Sequence, residues 1–84
     1  MKKLLLAAGL AASLPAVALA LSPGDTLGTI ADEIRASLTE QGWDVRKLEM
    51  DDGRFEAYAV MGTQMVEVYV DPTTGKVVKV EADD

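Results

Sequence analysis

The chain has 84 residues, with 8 lysines and arginines against 14 aspartates and glutamates, and a formal net charge of −6. This length allows one domain, and the acidic balance disfavours binding to a nucleic-acid backbone, which needs a basic patch. Because histidine and cysteine are absent, the chain has no disulfide, no His-dependent nucleophile, and no zinc, haem or iron–sulfur site built from those ligands. We therefore expect a small binding or regulatory domain without a cofactor or a bound metal.

The first twenty residues have the organisation of a secretory signal peptide. Basic residues at 2–3 precede a mainly apolar stretch from Leu4 to Val17, and Ala18-Leu19-Ala20 has the small-x-small pattern of a cleavage site. The apolar stretch is short for a bilayer span of about 20 residues, so an uncleaved membrane anchor is the less favoured alternative. We predict cleavage after Ala20, a periplasmic or secreted protein with no stable membrane insertion, and a mature domain of residues 21–84.

An amphipathic helix is predicted at the start of this domain. One apolar stripe with the spacing of an α-helix contains Leu27, Ile30, Ala31, Ile34 and Leu38. Ser22-Pro23 supplies the expected N-cap and first helical position, with Asp25 or Thr26 as alternative caps. Gly42 is the expected stop, since glycine readily takes a positive φ. The helix is therefore predicted over residues 24–41.

After the helix the hydrophobic period falls to two, which is typical of half-buried strands. The alternation runs through three segments, 55–60, 65–70 and 77–81. In a fourth segment, 43–50, Val45 is out of phase with Leu48 and Met50, which predicts a β-bulge or a late strand start.

Short turn motifs join these segments. They are Asp51-Asp52-Gly53, Gly62-Thr63 and Asp71-Pro72-Thr73-Thr74-Gly75. Because parallel strands need long crossovers, connections this short make successive strands antiparallel neighbours. The predicted fold class is α+β, with one N-terminal helix packed on a four-stranded antiparallel β-meander and a cleavable signal peptide before it.

The strand phase assigns the side chains to two faces of the sheet. The residues predicted to face the helix are Leu48, Met50, Phe55, Ala57, Ala59, Val66, Val68, Val70, Val78 and Val80. The candidate partner surface on the opposite face consists of Lys47, Glu56, Tyr58, Glu67, Tyr69 and Lys79. Tyrosine is enriched in binding patches. The alternative is that both tyrosines have only a structural role, in which they pack against neighbouring strands and shield the sheet from water.

The acidic residues suggest other functions only weakly. Asp51-Asp52-Gly53 resembles the start of a calcium loop but lacks the spacing of an EF-hand, so a hairpin turn is favoured. Glu56 and Glu67 could be cross-strand neighbours, but a wet sheet face does not raise a carboxylate pKa, which disfavours a hydrolase. Asp83-Asp84 is expected to be a frayed tail. The mature charge of −8, from 6 basic and 14 acidic residues, fits either solubility or steering towards a basic partner.

The order of elements resembles a PepSY domain over about residues 26–82. The motifs are Gly42-Trp43-x-Val45, Asp51-Asp52-Gly53, and the run from Glu67 to Val78, in which V-Y-V-D precedes P-T-T-G and a final strand. One departure is Trp43, where Tyr or Phe is more usual. The resemblance implies a helix on an antiparallel sheet, outside the cytoplasm, in a domain without catalytic residues that binds and restrains peptidases, here in trans.

Two hypotheses for the function result. The first is a non-catalytic secreted or periplasmic module that binds a protein, with a peptidase as first candidate, through the sheet face or by strand addition at an edge, 43–50 or 76–82. The alternative is an envelope structural or stress-related protein that self-associates and has no peptidase target. We expect a monomer or a weak dimer that binds no nucleic acid.

Overall fold

The structure is a computed structural model that describes residues 21–83. One helix precedes four strands: α1 (Ala31–Glu40), β1 (Asp44–Asp51), β2 (Arg54–Met61), β3 (Gln64–Val70) and β4 (Val77–Ala82). The strands pair antiparallel in the order β1-β2-β3-β4, which confirms the predicted helix and meander. The predicted signal peptide lies outside the described residues. In the part of the chain that is described, no helix has the length and apolar character needed to span a membrane.

The core lies between α1 and one face of the sheet. Its buried members are Leu27, Ile34, Leu38, Trp43, Ala57, Ala59, Val66, Val68, Val70 and Val77. Ile34 and Leu38 of the helix are fully buried in this cluster, together with Ala57 and Ala59 of β2. Most of the predicted core is therefore confirmed.

The helix begins later than predicted, at Ala31, because the N-terminal arm, residues 21–30, pairs through its residues 24–28 with residues 75–77 instead. In this N-terminal arm, the Gly24 N–H donates to the Val77 carbonyl (2.8 Å), and the Val77 N–H donates to the Asp25 carbonyl (2.8 Å). Backbone groups paired in this way cannot also form helical hydrogen bonds. The predicted cap at Ser22 is therefore wrong, and Ser22 lies instead in a turn closed by Asp25.

The helix start is stabilised by a residue inside the helix. Ile30 is the N-cap residue and provides no side-chain hydrogen bond, but Glu33 Oε1 accepts the N–H of Thr29 at 3.0 Å. This contact resembles half of a capping box. Ile30 is 54% exposed and Ala31 is also exposed, so their predicted places on the buried stripe are wrong.

The helix ends at the predicted glycine. Gly42 has a φ of +98°, the Gly42 N–H donates to the Thr39 carbonyl (3.0 Å), and the Trp43 N–H donates to the Leu38 carbonyl (3.0 Å). These two bonds form a Schellman motif. The motif places Trp43, which is buried in the core, directly before β1.

Two β-bulges adjust which side chains reach the core. The predicted bulge in β1 is confirmed by a register shift between Val45 and Lys47. A second, unpredicted bulge lies in β4, where Tyr69 pairs with Lys79 but Val70 pairs with Val77. Val78 is the extra residue, so Val77 is 2% exposed and Val78 is 48% exposed. The prediction that Val78 faces the helix is therefore wrong.

Met50, also predicted in the core, is 53% exposed. A helix of ten residues spans about 15 Å, whereas a strand of eight residues such as β1 spans about 26 Å. Because α1 and β1 share the connection at 41–43, the late start of the helix leaves the far end of β1 uncovered. Met50 lies at that end.

The turns have the predicted chemistry. Asp52 and Gly53 both have positive φ, +56° and +78°, as a type I′ hairpin turn requires, so a calcium loop is not needed to explain this motif. In the turn before β4, the N–H of Thr73 donates to Asp71 Oδ1 (2.8 Å), and the N–H of Gly75 donates to the Asp71 carbonyl (2.8 Å).

Candidate functional site

The sheet face opposite α1, called here the open face, carries all six side chains of the predicted partner surface. Lys47 of β1, Tyr58 of β2 and Glu67 of β3 are successive cross-strand partners in one row. Glu56 of β2, Tyr69 of β3 and Lys79 of β4 form the neighbouring row. Because side chains alternate between the faces of a strand, this register places the six residues together, away from the core.

Two tyrosines and two glutamates alternate at the centre of this face. Tyr58 is the partner of Glu67, and Glu56 is the partner of Tyr69, so each tyrosine lies opposite a carboxylate. The Tyr69 hydroxyl lies 3.2 Å from Glu67 Oε1 and 3.3 Å from Glu56 Oε2, and its single proton can be donated fully to only one of them. These four residues form the central tyrosine–glutamate cluster.

The basic side chains of the open face are engaged within the domain. Arg54 lies over the Tyr69 ring, 4.3 Å from its centre, and Lys79 Nζ lies 5.5 Å from it. Lys79 Nζ also pairs with Glu81 Oε2 at 3.0 Å, and Lys47 Nζ pairs with Glu49 Oε2 at 3.5 Å. Each exposed pair contributes little to stability, but together these contacts engage Lys47, Arg54 and Lys79 with other residues of the domain.

A shallow groove of about 340 Å³ lies beside the central cluster. It is lined by Lys47, Glu49, Glu56, Tyr58, Glu67 and Asp83. Two of these residues, Glu49 and Asp83, are missing from the predicted surface. Glu49 could have been found, since it lies two positions after Lys47 on the same strand. Asp83 was predicted in a frayed tail, but its N–H donates to the Met65 carbonyl (2.8 Å), which continues the β3–β4 pairing.

The wall of the groove also contains a hydroxyl–thioether contact. The Tyr58 hydroxyl lies 3.0 Å from Met65 Sδ, which is a weak acceptor. The Tyr58 hydroxyl therefore makes one weak contact, while Tyr58 lines the groove together with Glu56 and Glu67.

The side chains of the open face are better suited to binding than to catalysis. The carboxylates and tyrosine rings of this face offer hydrogen-bond acceptors and negative aromatic faces, both of which attract cations. Within residues 21–83, no three acidic side chains come together closely enough to hold a metal ion.

The Tyr69 hydroxyl provides a spectroscopic test of the central cluster. Burial, the hydrogen bond to Glu67 and the negative charges of Glu56, Glu67 and Glu81 raise the pKa of Tyr69 to about 12. Since the folded state favours the neutral phenol, this contribution to stability is complete below pH 10 and is lost as the pH rises towards about 12. A tyrosinate absorbance titration should show this ionisation near pH 12, and Glu67→Gln should lower its pKa. An unchanged pKa in that variant would contradict the hydrogen bond.

Comparison with family models gives a match to the model described as "Peptidase propeptide and YPEB domain", over residues 3–81. The matched range covers nearly the whole chain, including α1, the first three strands and all of β4 except its last residue. No curated protein and no solved structure matches the chain.

Proposed function

Because the chain belongs to the PepSY family of peptidase propeptide and YPEB domains, we propose that it is a non-catalytic module that regulates a peptidase by protein–protein contact. The protein acts in the periplasm or outside the cell, after removal of residues 1–20. We propose that it binds its target in trans.

The observation that carries this proposal is the open face. One side of the sheet packs on α1, while the other side presents two tyrosines and a groove without any covering element in residues 21–83. Aromatic residues that combine a large apolar ring with a polar tip are typical of protein interfaces. The proposed contact surface consists of Lys47, Glu56, Tyr58, Glu67, Tyr69 and Lys79, extended by Glu49 and Asp83.

The sheet edges support binding less well than the face does. The start of β4 is already covered by the N-terminal arm, whose backbone pairs with Val77. The free edge of β1 contains a bulge after Val45 and charged residues such as Arg46 and Lys47, features that discourage the addition of another strand. We therefore place the partner on the open face.

The proposal predicts inhibition of a peptidase that depends on the open face. The protein is used as bait on a periplasmic or extracellular fraction, captured peptidases are purified, and their activity is measured against added wild-type protein or variants. Glu67→Lys, which reverses a charge in the groove, should weaken inhibition by about tenfold or more. Glu40→Lys, the same charge change on the exposed end of α1, should leave inhibition within about twofold of wild type.

Two outcomes would contradict the proposal. If both charge reversals inhibit as well as wild type does, the contact does not involve the open face. If no peptidase is captured and the bait recovers only further copies of itself, the result favours the alternative hypothesis of a self-associating envelope protein.

A further inference from the structure

The central cluster shows how this sheet binds a cation. The Tyr69 ring holds Arg54 at 4.3 Å and Lys79 at 5.5 Å from its centre, while Glu56 and Glu67 lie within hydrogen-bonding distance of its hydroxyl. Each cation gains from the negative face of the ring, and Lys79 also pairs with Glu81 at 3.0 Å. Tyr69 is therefore an internal example of a cation held over a tyrosine of this face.

Tyr58, the second tyrosine of this face, has different contacts, because its hydroxyl lies against Met65 Sδ and not against a carboxylate. It lies opposite Glu67 and shares the groove with Glu56, Glu67 and Asp83. Among residues 21–83, however, cations lie over the Tyr69 ring only. Lys47, the cross-strand partner of Tyr58 on β1, is directed to Glu49 instead, at 3.5 Å.

The groove carries an excess of negative charge, which also favours binding of a cation. One lysine faces four carboxylates, those of Glu49, Glu56, Glu67 and Asp83. The single lysine pairs with Glu49, which leaves three carboxylates without a cationic partner among the ion pairs of the described residues. An open face with this charge is complementary to a basic surface, and it also speeds encounter with one.

We propose that the groove binds a lysine or arginine side chain of a protein partner, with its cationic group over the Tyr58 ring and between the carboxylates of Glu56, Glu67 and Asp83. This inference rests on the proposed function, because it specifies the chemistry by which the regulated protein is recognised. The partner presents a basic segment to the open face, and the acidic charge of the domain attracts it.

The test measures binding of a model peptide to the protein, which is expressed from the full sequence and purified with whatever processing occurs during expression. The probe is an acetylated and amidated alanine peptide with two lysines at alternate positions, and its controls carry glutamine or glutamate at those positions. Amide chemical-shift changes on titration should concentrate at 56–58 and 65–67 with the lysine peptide, and should be absent with the glutamate peptide.

Matched variants distinguish binding in the groove from general electrostatic attraction between the peptide and the acidic domain. Glu56→Gln with Glu67→Gln should weaken the lysine peptide by about tenfold or more. Asp32→Asn with Glu40→Gln removes the same charge from the exposed side of α1 and should change affinity by less than about twofold. Tyr58→Leu should weaken binding by about fivefold, and Tyr58→Phe, which keeps the ring, should recover most of that loss. Thermal unfolding of each variant checks that the fold is retained.

Several results would overturn the inference. The first is that both double variants weaken binding of the lysine peptide equally. The second is that Tyr58→Leu leaves the affinity for this peptide unchanged. The third is that the lysine peptide does not bind at all. Spermidine that binds as tightly as the peptide would overturn the assignment to a protein side chain.

The two proposals can fail separately. Peptidase inhibition that is lost in Glu67→Lys, without binding of the lysine peptide, would remove this inference and keep the proposed function. Peptide binding in the groove without inhibition of any captured peptidase would keep the site and remove the proposed target.

Discussion

Replacing Ile34 with alanine is expected to lower the free energy of unfolding by about 2–5 kcal/mol. Ile34 is fully buried, in the middle of the only face of α1 that contacts the core in the described structure. The substitution removes three carbon atoms from a close-packed interior and leaves a cavity that the sheet fills only partly. A loss of this size is comparable to the whole stability of a domain of about 60 residues.

Chemical denaturation followed by circular dichroism measures this effect. Arg35→Ala changes the next residue, which is exposed, and should shift the unfolding free energy by less than about 0.5 kcal/mol. Ile34→Val should cost about 0.5–1.5 kcal/mol and remains measurable if the alanine variant does not fold. Glu33 is not suitable as a control, because it accepts the Thr29 N–H. Equal effects at Ile34 and Arg35 would show that the helix face is assigned incorrectly.

Gly28→Ala is expected to cost about 3 kcal/mol or more, since strain and steric overlap act together at this position. Gly28 has a φ of +145°, which residues with a side chain rarely adopt. A Cβ atom there would lie 2.4 Å from Glu33 Cβ and 3.0 Å from Glu33 Oε1. Glu33 would therefore have to move, and its hydrogen bond to Thr29 at the start of α1 would break.

Gly24→Ala is the matched control for this prediction. Gly24 lies in the same N-terminal arm and has a φ of +98°, but a Cβ atom there would meet nothing within 4 Å. We expect a cost of about 1–2 kcal/mol from backbone strain alone. Thermal or denaturant unfolding of both variants gives the comparison, and equal costs would argue against the close packing of Gly28 on Glu33.

The sequence predicts those features that depend on local pattern. The strand alternation gives the order and direction of β1–β4, and the Asp-Gly and Gly-Thr motifs give their turns. Gly42 ends the helix as expected because a positive φ is needed there and glycine takes it readily. The bulge after Val45 is visible as a break in phase.

The errors arise where distant backbone groups compete with local signals. Ser22-Pro23 has the composition of a helix start, but the arm gains hydrogen bonds to Val77 and Gly75, which are far along the chain. Val78 fits the alternation of a strand, and only the tertiary register shows that it is the extra residue of a bulge. For the site, alternation is enough to place six side chains on one face, whereas Asp83 joins them through a backbone bond to Met65.

The N-terminal arm makes folding dependent on the two ends of the domain meeting. The Leu27 N–H donates to the Gly75 carbonyl at 2.7 Å, across a sequence separation of 48 residues, and the Ser37 hydroxyl donates to the Leu27 carbonyl at 2.7 Å. Contacts of such high contact order form slowly and late. The native state is therefore completed only when residues 75–77 reach the N-terminal arm, so the domain becomes fully cooperative only once β4 is in place.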